Sequence, residues 1–303
     1  MVDLKVTVGS VKMKNPLIAA SGCFGFGEEA ASWLDLDELG GICSKGLTLM
    51  PRLGNGTPRV VECASGMLNS VGLQNPGIED FVWHYLPFML RQDCANIINI
   101  AGFTTDDYVE MARELEPFPV DAIELNLSCP NVASGCMSIG SEPKLIAETV
   151  RAVKRVSSKP LWAKLTPNVT DITACAVAAE HAGADAVSLV NTFLGLAIDL
   201  EKRRPIMPNN TGGLSGPAIK PLALRMVADV YRAIDIPVVG MGGIMNGRDA
   251  LEFICAGASA VQIGTANLVD PYAMIRIRDE MNALMEKMGV ASVEELRGTL
   301  EYY

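Results

Sequence analysis

The segment ELNLSCPNVASG, Glu124 to Gly135, ends an apolar run in a turn that sets a thiol among amides and a proline. A thiol has a reference pKa of about 8.5, so Cys129 can serve as a general base where its surroundings or the medium favour the thiolate. The commoner base is poorly placed here. The chain has two histidines. His84 lies in the helical-looking stretch GIEDFVWHYLPFML, and His181 ends an amphipathic segment before AGAD, where a cation suits a helix terminus. Both read as structural. A cysteine is by default a small buried hydrophobe, but Ser128, Pro130 and Asn131 are turn residues, and a turn above a strand end faces ligand. Cys136 in the same segment is the second candidate and lacks the flanking amides.

Other polar residues fall where predicted strands end: Ser21, Lys45, Asn99, Asn126, Lys164 and Asn191. A lysine at a strand end can simply be solvated, yet two lysines and three asparagines converging on one rim would line a flat, anion-accepting pocket. Asparagine offers both a donor and an acceptor, which suits the alternating carbonyl and N–H edge of a flavin or a pyrimidine. A lysine beside the N1–C2 edge of a flavin would stabilise the charge that develops on reduction. Asn69, in NSVGLQNPG, belongs to a segment that reads as backbone wrapped around a small ligand.

Two glycine-bearing turns point to a phosphate. GMGGI (Gly240–Ile244) and QIGTA (Gln262–Ala266) follow the seventh and eighth predicted strands. Glycine lets the backbone approach an anion closely, and the loops after strands seven and eight are where α/β barrels commonly hold phosphate. Gly216, in GLSGPAIK, could add a third backbone contact.

Placing these groups together requires a particular scaffold. Short apolar runs at Leu17–Ala20, Ile42–Ser44, Ala95–Ile100, Ala122–Leu127, Pro160–Leu165, Ala186–Val190, Val238–Gly240 and Ala260–Ile263 predict strands. Amphipathic segments at Thr105–Leu115, Pro143–Val156, Ile172–His181, Ala218–Ile234 and Gly247–Cys255 predict helices between them. Repeated βα units imply a parallel sheet with right-handed crossovers, and eight of them a closed (β/α)8 TIM barrel preceded by an N-terminal β-hairpin. An open doubly wound sheet would announce a GxGxxG after its first strand, and none is there. Long segments at Gly46–Gly77, Ser128–Glu142 and Asn191–Pro217 all follow strand C-termini, the face on which such barrels carry their sites.

Composition narrows the class. The chain has 303 residues, 49% of them hydrophobic, and residues 1–303 are expected to fold as one barrel domain. A formal net charge of −10 argues against nucleic acid and anionic membrane surfaces as partners. Eight cysteines without a CxxC pair suggest neither a zinc knuckle nor a secreted disulfide scaffold, and no metal is expected. Without a signal-peptide pattern or an apolar stretch of about 18 residues, the expected location is cytoplasmic.

Taken together, the motifs resemble the dihydroorotate dehydrogenases. ASGCFGFGEE, SKGLTLMPRLGN, NSVGLQNPG, ELNLSCPN, WAKLTPNVTDI, LVNTFLGLAID, TGGLSGPAIKPLALRMV and VVGMGGIMNGRDALEFICAGASAVQIGTA occur in that family's order across nearly the whole chain. NTGGLSGPAIKP and GVASVEELRGTLE are most similar to the catalytic subunit of the NAD-linked soluble group, class 1 B-type. The membrane-bound class has an N-terminal extension and a serine as base, and here Cys129 stands at the base position. Relatives commonly carry Gly-Gly and Phe-Gly in the following loop, where this chain has Gly135-Cys136 and Ile139-Gly140.

The resemblance implies one FMN per chain, contacted by Ser21, Lys45, Gly46, Asn99, Asn126, Lys164, Val190, Gly216, Gly242, Gly243, Gly264 and Thr265. It implies substrate contacts at Lys45, Asn69, Ser70, Val71, Gly72, Leu73, Asn126, Asn191 and Thr192, with Asn131 a further candidate. The implied reaction oxidises (S)-dihydroorotate to orotate in de novo pyrimidine (UMP) biosynthesis. Cys129 takes the C5 proton while hydride passes from C6 to flavin N5. Electrons then leave for NAD through a partner subunit carrying FAD and a [2Fe-2S] cluster, in a heterotetramer of two catalytic and two electron-transfer subunits. The chain has no iron–sulfur ligand pattern or dinucleotide fingerprint of its own. Three other readings are a fumarate-using homodimer of the class 1 A-type, a non-catalytic flavin-binding barrel, and an aldolase-like barrel with Lys164 as Schiff-base amine; the asparagine-rich rim argues against the last.

Overall fold

The computed structural model describes residues 2–127 and 139–303. Eight parallel strands follow one another in chain order around a closed barrel: β1 Leu17–Ala19, β2 Gly41–Cys43, β3 Ala95–Ile100, β4 Ala122–Asn126, β5 Leu161–Lys164, β6 Ala186–Leu189, β7 Val238–Met241 and β8 Ala258–Ile263. The ring closes where β5 pairs with β6, Ala186 against Trp162. Strands covered on both sides read as continuous apolar runs, and Ile97, Ile98 and Ile100 of β3 are fully buried.

Each predicted run is a barrel strand. The largest difference is at β8, which starts two residues before the expected Ala260, because Ala258 pairs with Val238 although its small neighbours look like turn. Thr105–Leu115, Ile172–His181 and Gly247–Cys255 are helices with the expected bounds. Their starts are fixed by side chains that satisfy free backbone N–H groups: Thr104 and Asp107 form a reciprocal capping box, Asp171 accepts from Thr173 and Ala174, and Asn246 accepts from Asp249. The segment expected to be one helix over Ala218–Ile234 is instead a 3-10 turn, Pro217–Ile219, followed by a helix, Lys220–Tyr231. Pro221 lies in the helix's first turn, and proline is tolerated there because it has no N–H to donate further back.

The N-terminal hairpin, Val6–Val8 with Val11–Met13, is present as expected. Its turn at Gly9 lies against the carbonyl of Asp185, just ahead of β6, so the hairpin covers the end where the strands begin.

At the opposite end, two of the long segments fold together. The segment after β2 carries strands Val60–Cys63 and Gly66–Asn69, and that after β6 carries Phe193–Gly195 and Gly212–Ser215. They form one four-stranded antiparallel sheet in which Asn69 pairs with Gly213. Of Ser128–Glu142, only the part from Ile139 falls within the described residues.

Candidate active site

A cavity of about 330 Å³ opens over the C-terminal ends of the strands, within the size range of small-molecule and cofactor sites. Ser21 after β1, Lys45 and Gly46 after β2, Asn126 at the end of β4 and Lys164 at the end of β5 line one side. Val190, Asn191 and Thr192 follow β6, Gly242 and Gly243 follow β7, and Gly264 and Thr265 follow β8; all line the same space. Asn69, Val71, Gly72 and Leu73 come over it from the loop sheet.

Three expected contacts are not on the wall. Asn99 is fully buried beneath it; Ser70 is turned back, its hydroxyl accepting from Asn55 Nδ2 at 3.0 Å; Gly216 lies behind the β7 turn. Cys129, Asn131 and the rival Cys136 lie outside the described residues.

The loop that carries Gly72 and Leu73 over the cavity is held from behind. Asn75 Oδ1 accepts from the backbone N–H groups of Thr48 (3.1 Å) and Gly77 (2.8 Å), while its Nδ2 donates to the Leu73 carbonyl (2.7 Å). Gly72 (φ 76°) and Leu73 (φ 55°) both take the left-handed region. For leucine that is uncommon, and such strain gathers at ligand clamps.

The cavity is cationic at its floor. Lys164 is 4% exposed, donates to Ser21 Oγ at 3.0 Å and lies 3.7 Å from Glu124 Oε1. Burial pushes the Lys45 ammonium down, the Cys23 thiol opposing and the Arg59 guanidinium adding to the fall. Asn126 is anchored through its carbonyl, which accepts from the fully buried Tyr108 hydroxyl at 2.7 Å.

Glu124 was given no role in the sequence reading. Residues alternate across a strand, so Glu124 shares with Asn126 the face of β4 that looks into the barrel. Oε1 accepts from Asn99 Nδ2 at 2.7 Å and Cys43 Sγ at 3.1 Å; Oε2 accepts from Ser188 Oγ at 2.7 Å and Gln262 Nε2 at 2.6 Å. Burial raises this carboxyl's pKa, but the Lys164 charge and the hydrogen bonds from Ser188, Cys43 and Asn99 outweigh it and hold the group below the usual carboxylate range. One sign was legible: a lone charge between Ile123 and Leu125 in a run predicted to be buried. Gln262 and Cys23 also line the cavity and had no role in the sequence reading; burial pushes the Cys23 thiol up, against the charges of Lys164 and Lys45.

The glycine turns have two different causes. Gly243 (φ 77°) has no room for a side chain, since a Cβ would lie 2.8 Å from Gly216 O and from Lys220 N. The turn after β7 is therefore seated on the start of the preceding helix, Lys220–Tyr231, which is where Gly216 acts. Gly264 is different: a Cβ there would meet nothing nearer than Cys23 Sγ at 3.5 Å. No neighbour among the described residues requires that glycine, and the space it leaves is cavity. Gly243→Ala is expected to cost about 1–3 kcal/mol through strain and crowding, measured by denaturant unfolding of the cofactor-free chain.

The site fits FMN. Two backbone turns without side chains stand where barrels hold a phosphate. Asn99 Oδ1 beneath the floor and Gln262 Oε1 at the wall are buried acceptors with no partner among the described residues, and buried acceptors are normally satisfied. A flavin ring and ribityl chain carry donors of that kind. Among the described residues, no three metal-ligating side chains converge and no helix is long and apolar enough to cross a membrane.

A family model described as dihydroorotate dehydrogenase matches residues 3–285. The chain belongs to the dihydroorotate dehydrogenase family. Among its relatives in that family is a protein of Caldicellulosiruptor bescii, 51% identical over 98% of this chain and 99% of its own. One of Alkaliphilus metalliredigens is 50% identical over 99% of each chain, and one of Geobacter sp. strain M21 is 52% identical over 99% of this chain and 98% of its own. All three are named dihydroorotate dehydrogenase B (NAD(+)), catalytic subunit.

Proposed function

We propose that this chain is the catalytic subunit of a B-type, NAD-linked dihydroorotate dehydrogenase, an oxidoreductase that converts (S)-dihydroorotate to orotate in pyrimidine biosynthesis. The observation that carries this reading is one cavity in which Lys45, Lys164, Asn126 and Asn191 meet the glycine turns after β7 and β8. Full-length likeness to relatives bearing that name supports it.

FMN, when bound, supplies the hydride acceptor for C6 of the substrate. Gly242, Gly243, Gly264 and Thr265 would hold its phosphate, and Ser21, Asn126 and Lys164 its ring and ribityl chain. Lys45, Asn69, Asn126, Asn191 and Thr192 would orient the substrate's carboxylate and imide edge, the loop from Ser70 to Leu73 closing over it. Donors fixed before substrate arrives stabilise charge developing at C5–C4 without reorganising. Cys129, which follows Asn126 closely in the chain, would take the C5 proton, and Asn131 would stand beside the substrate. Excluding water from the slot strengthens these interactions.

FAD and the [2Fe-2S] cluster would belong to a second polypeptide, two copies of each subunit forming a heterotetramer in the cytoplasm. This gives a direct assay. The purified chain is expected to show a flavin spectrum, to be reduced by dihydroorotate, and to pass electrons to NAD only slowly until the electron-transfer subunit is added. Rapid NAD reduction by the chain alone would overturn the two-subunit reading, and rapid turnover with fumarate would place the chain in the homodimeric A-type. A bound flavin that dihydroorotate fails to reduce would mark a non-catalytic flavin barrel.

A further inference from the structure

The mechanism above leaves the buried carboxylate of Glu124 without work. Glu124 is 0% exposed and its two oxygens are reached from five other strands: Cys43 of β2, Asn99 of β3, Lys164 of β5, Ser188 of β6 and Gln262 of β8. The interior of such a barrel is ordinarily filled by branched apolar side chains. A carboxylate there is costly unless every lone pair is used, and burying one for stability alone is a poor solution, since apolar residues of similar volume are often as good.

Two consequences reach the cavity. The first is charge. Lys164 lines the cavity, and Glu124 is the one carboxylate in ion-pair range of its ammonium among the described residues. A group bound above Lys164 therefore meets a cation already half compensated from below. The second is polarity. A carboxylate only accepts, so Asn99 and Gln262 must both turn their amide nitrogens toward Glu124. Their oxygens, Asn99 Oδ1 and Gln262 Oε1, are left among the buried acceptors with no partner among the described residues, and Gln262 is itself on the cavity wall.

We propose that Glu124 is a positioning residue that sets the reduction potential of the bound flavin, by compensating Lys164 and by fixing the orientation of the Gln262 amide at the cavity wall. This rests on the flavin reading above. A reduced flavin gains negative charge at the edge where such a lysine acts, so the anion beneath Lys164 works against reduction and holds the potential down.

The test compares FMN-loaded wild type with Glu124→Gln and Ser188→Ala, reading the ratio of the dissociation constants of oxidised and reduced FMN. Glu124→Gln keeps the shape and removes the charge, and is expected to shift that ratio at least ~10-fold toward the reduced form. For a two-electron couple that is a rise of about 30 mV. Ser188→Ala keeps the charge but removes a donor from Oε2, and Ser188 is not on the cavity wall. It is expected to shift the ratio about threefold the other way, because the carboxylate is then less compensated. Opposite signs are the signature, since a merely structural role would move both variants alike or neither. Should Glu124→Gln fail to fold, the Ser188→Ala shift decides. Shifts of the same sign, or none in a variant that binds FMN, overturn the proposal. A wild-type chain that takes up no flavin overturns instead the reading on which it rests.

Discussion

Cys129→Ala is expected to leave FMN bound with its oxidised spectrum unchanged, while slowing flavin reduction by dihydroorotate at least ~100-fold, the scale of a lost general base. The C5 proton is weakly acidic, and neither histidine offers a substitute. His84 is exposed at the end of the helix Ile78–His84 and paired with Asp80, and His181 ends another outer helix. Stopped-flow reduction without an electron acceptor isolates this step from later transfer. The same loss on Cys136→Ala, with Cys129→Ala active, would assign the base to the other thiol.

Lys164→Met is expected to destabilise the chain by about 3 kcal/mol, since removing one partner of a buried ion pair leaves the other charge uncompensated. The lower end of the 3–5 kcal/mol range applies because four donors remain on Glu124. The pH dependence should also weaken. In the wild type the Glu124 carboxyl is depressed, so its contribution is present above the unfolded carboxylate value of about 4.3 and is lost as pH falls through the lower folded value. Without Lys164 the largest lowering influence is gone and burial pushes that carboxyl up relative to the wild type, so the stability gained as pH rises through the carboxylate range should shrink. Urea titrations of the cofactor-free chain between about pH 2 and pH 7, a span that brackets the unfolded carboxylate value, measure both effects. An unchanged midpoint would mean the pair contributes nothing to stability.

The barrel was legible because strands buried on both sides need unbroken apolar runs, and helices between them need a 3.6-residue stripe; both are local. Ala95–Ile100 and Thr105–Leu115 are bounded in the structure as in the sequence. The rim was legible for the same reason, since Lys45, Asn126, Lys164 and Asn191 stand where local runs stop. The loop sheet was not. Gly212–Ser215 is glycine-rich and short, and its partner Gly66–Asn69 lies far away in sequence, so only the closed barrel brings them into register. Glu124 was missed for a related reason: its donors come from β2, β3, β6 and β8, and no window along the chain contains more than one of them.

The pairing of Asn69 with Gly213 bears on how substrate preference in this chain can be altered. The Asn69–Leu73 arc and the Asn191–Thr192 corner are joined through the strand Gly212–Ser215, which pairs with Gly66–Asn69 on one edge and with Phe193–Gly195 on the other, so a graft taken into one and not the other would break the seam. Redesign or natural drift must then replace both halves as a matched set, or confine itself to side chains that leave the seam's register alone.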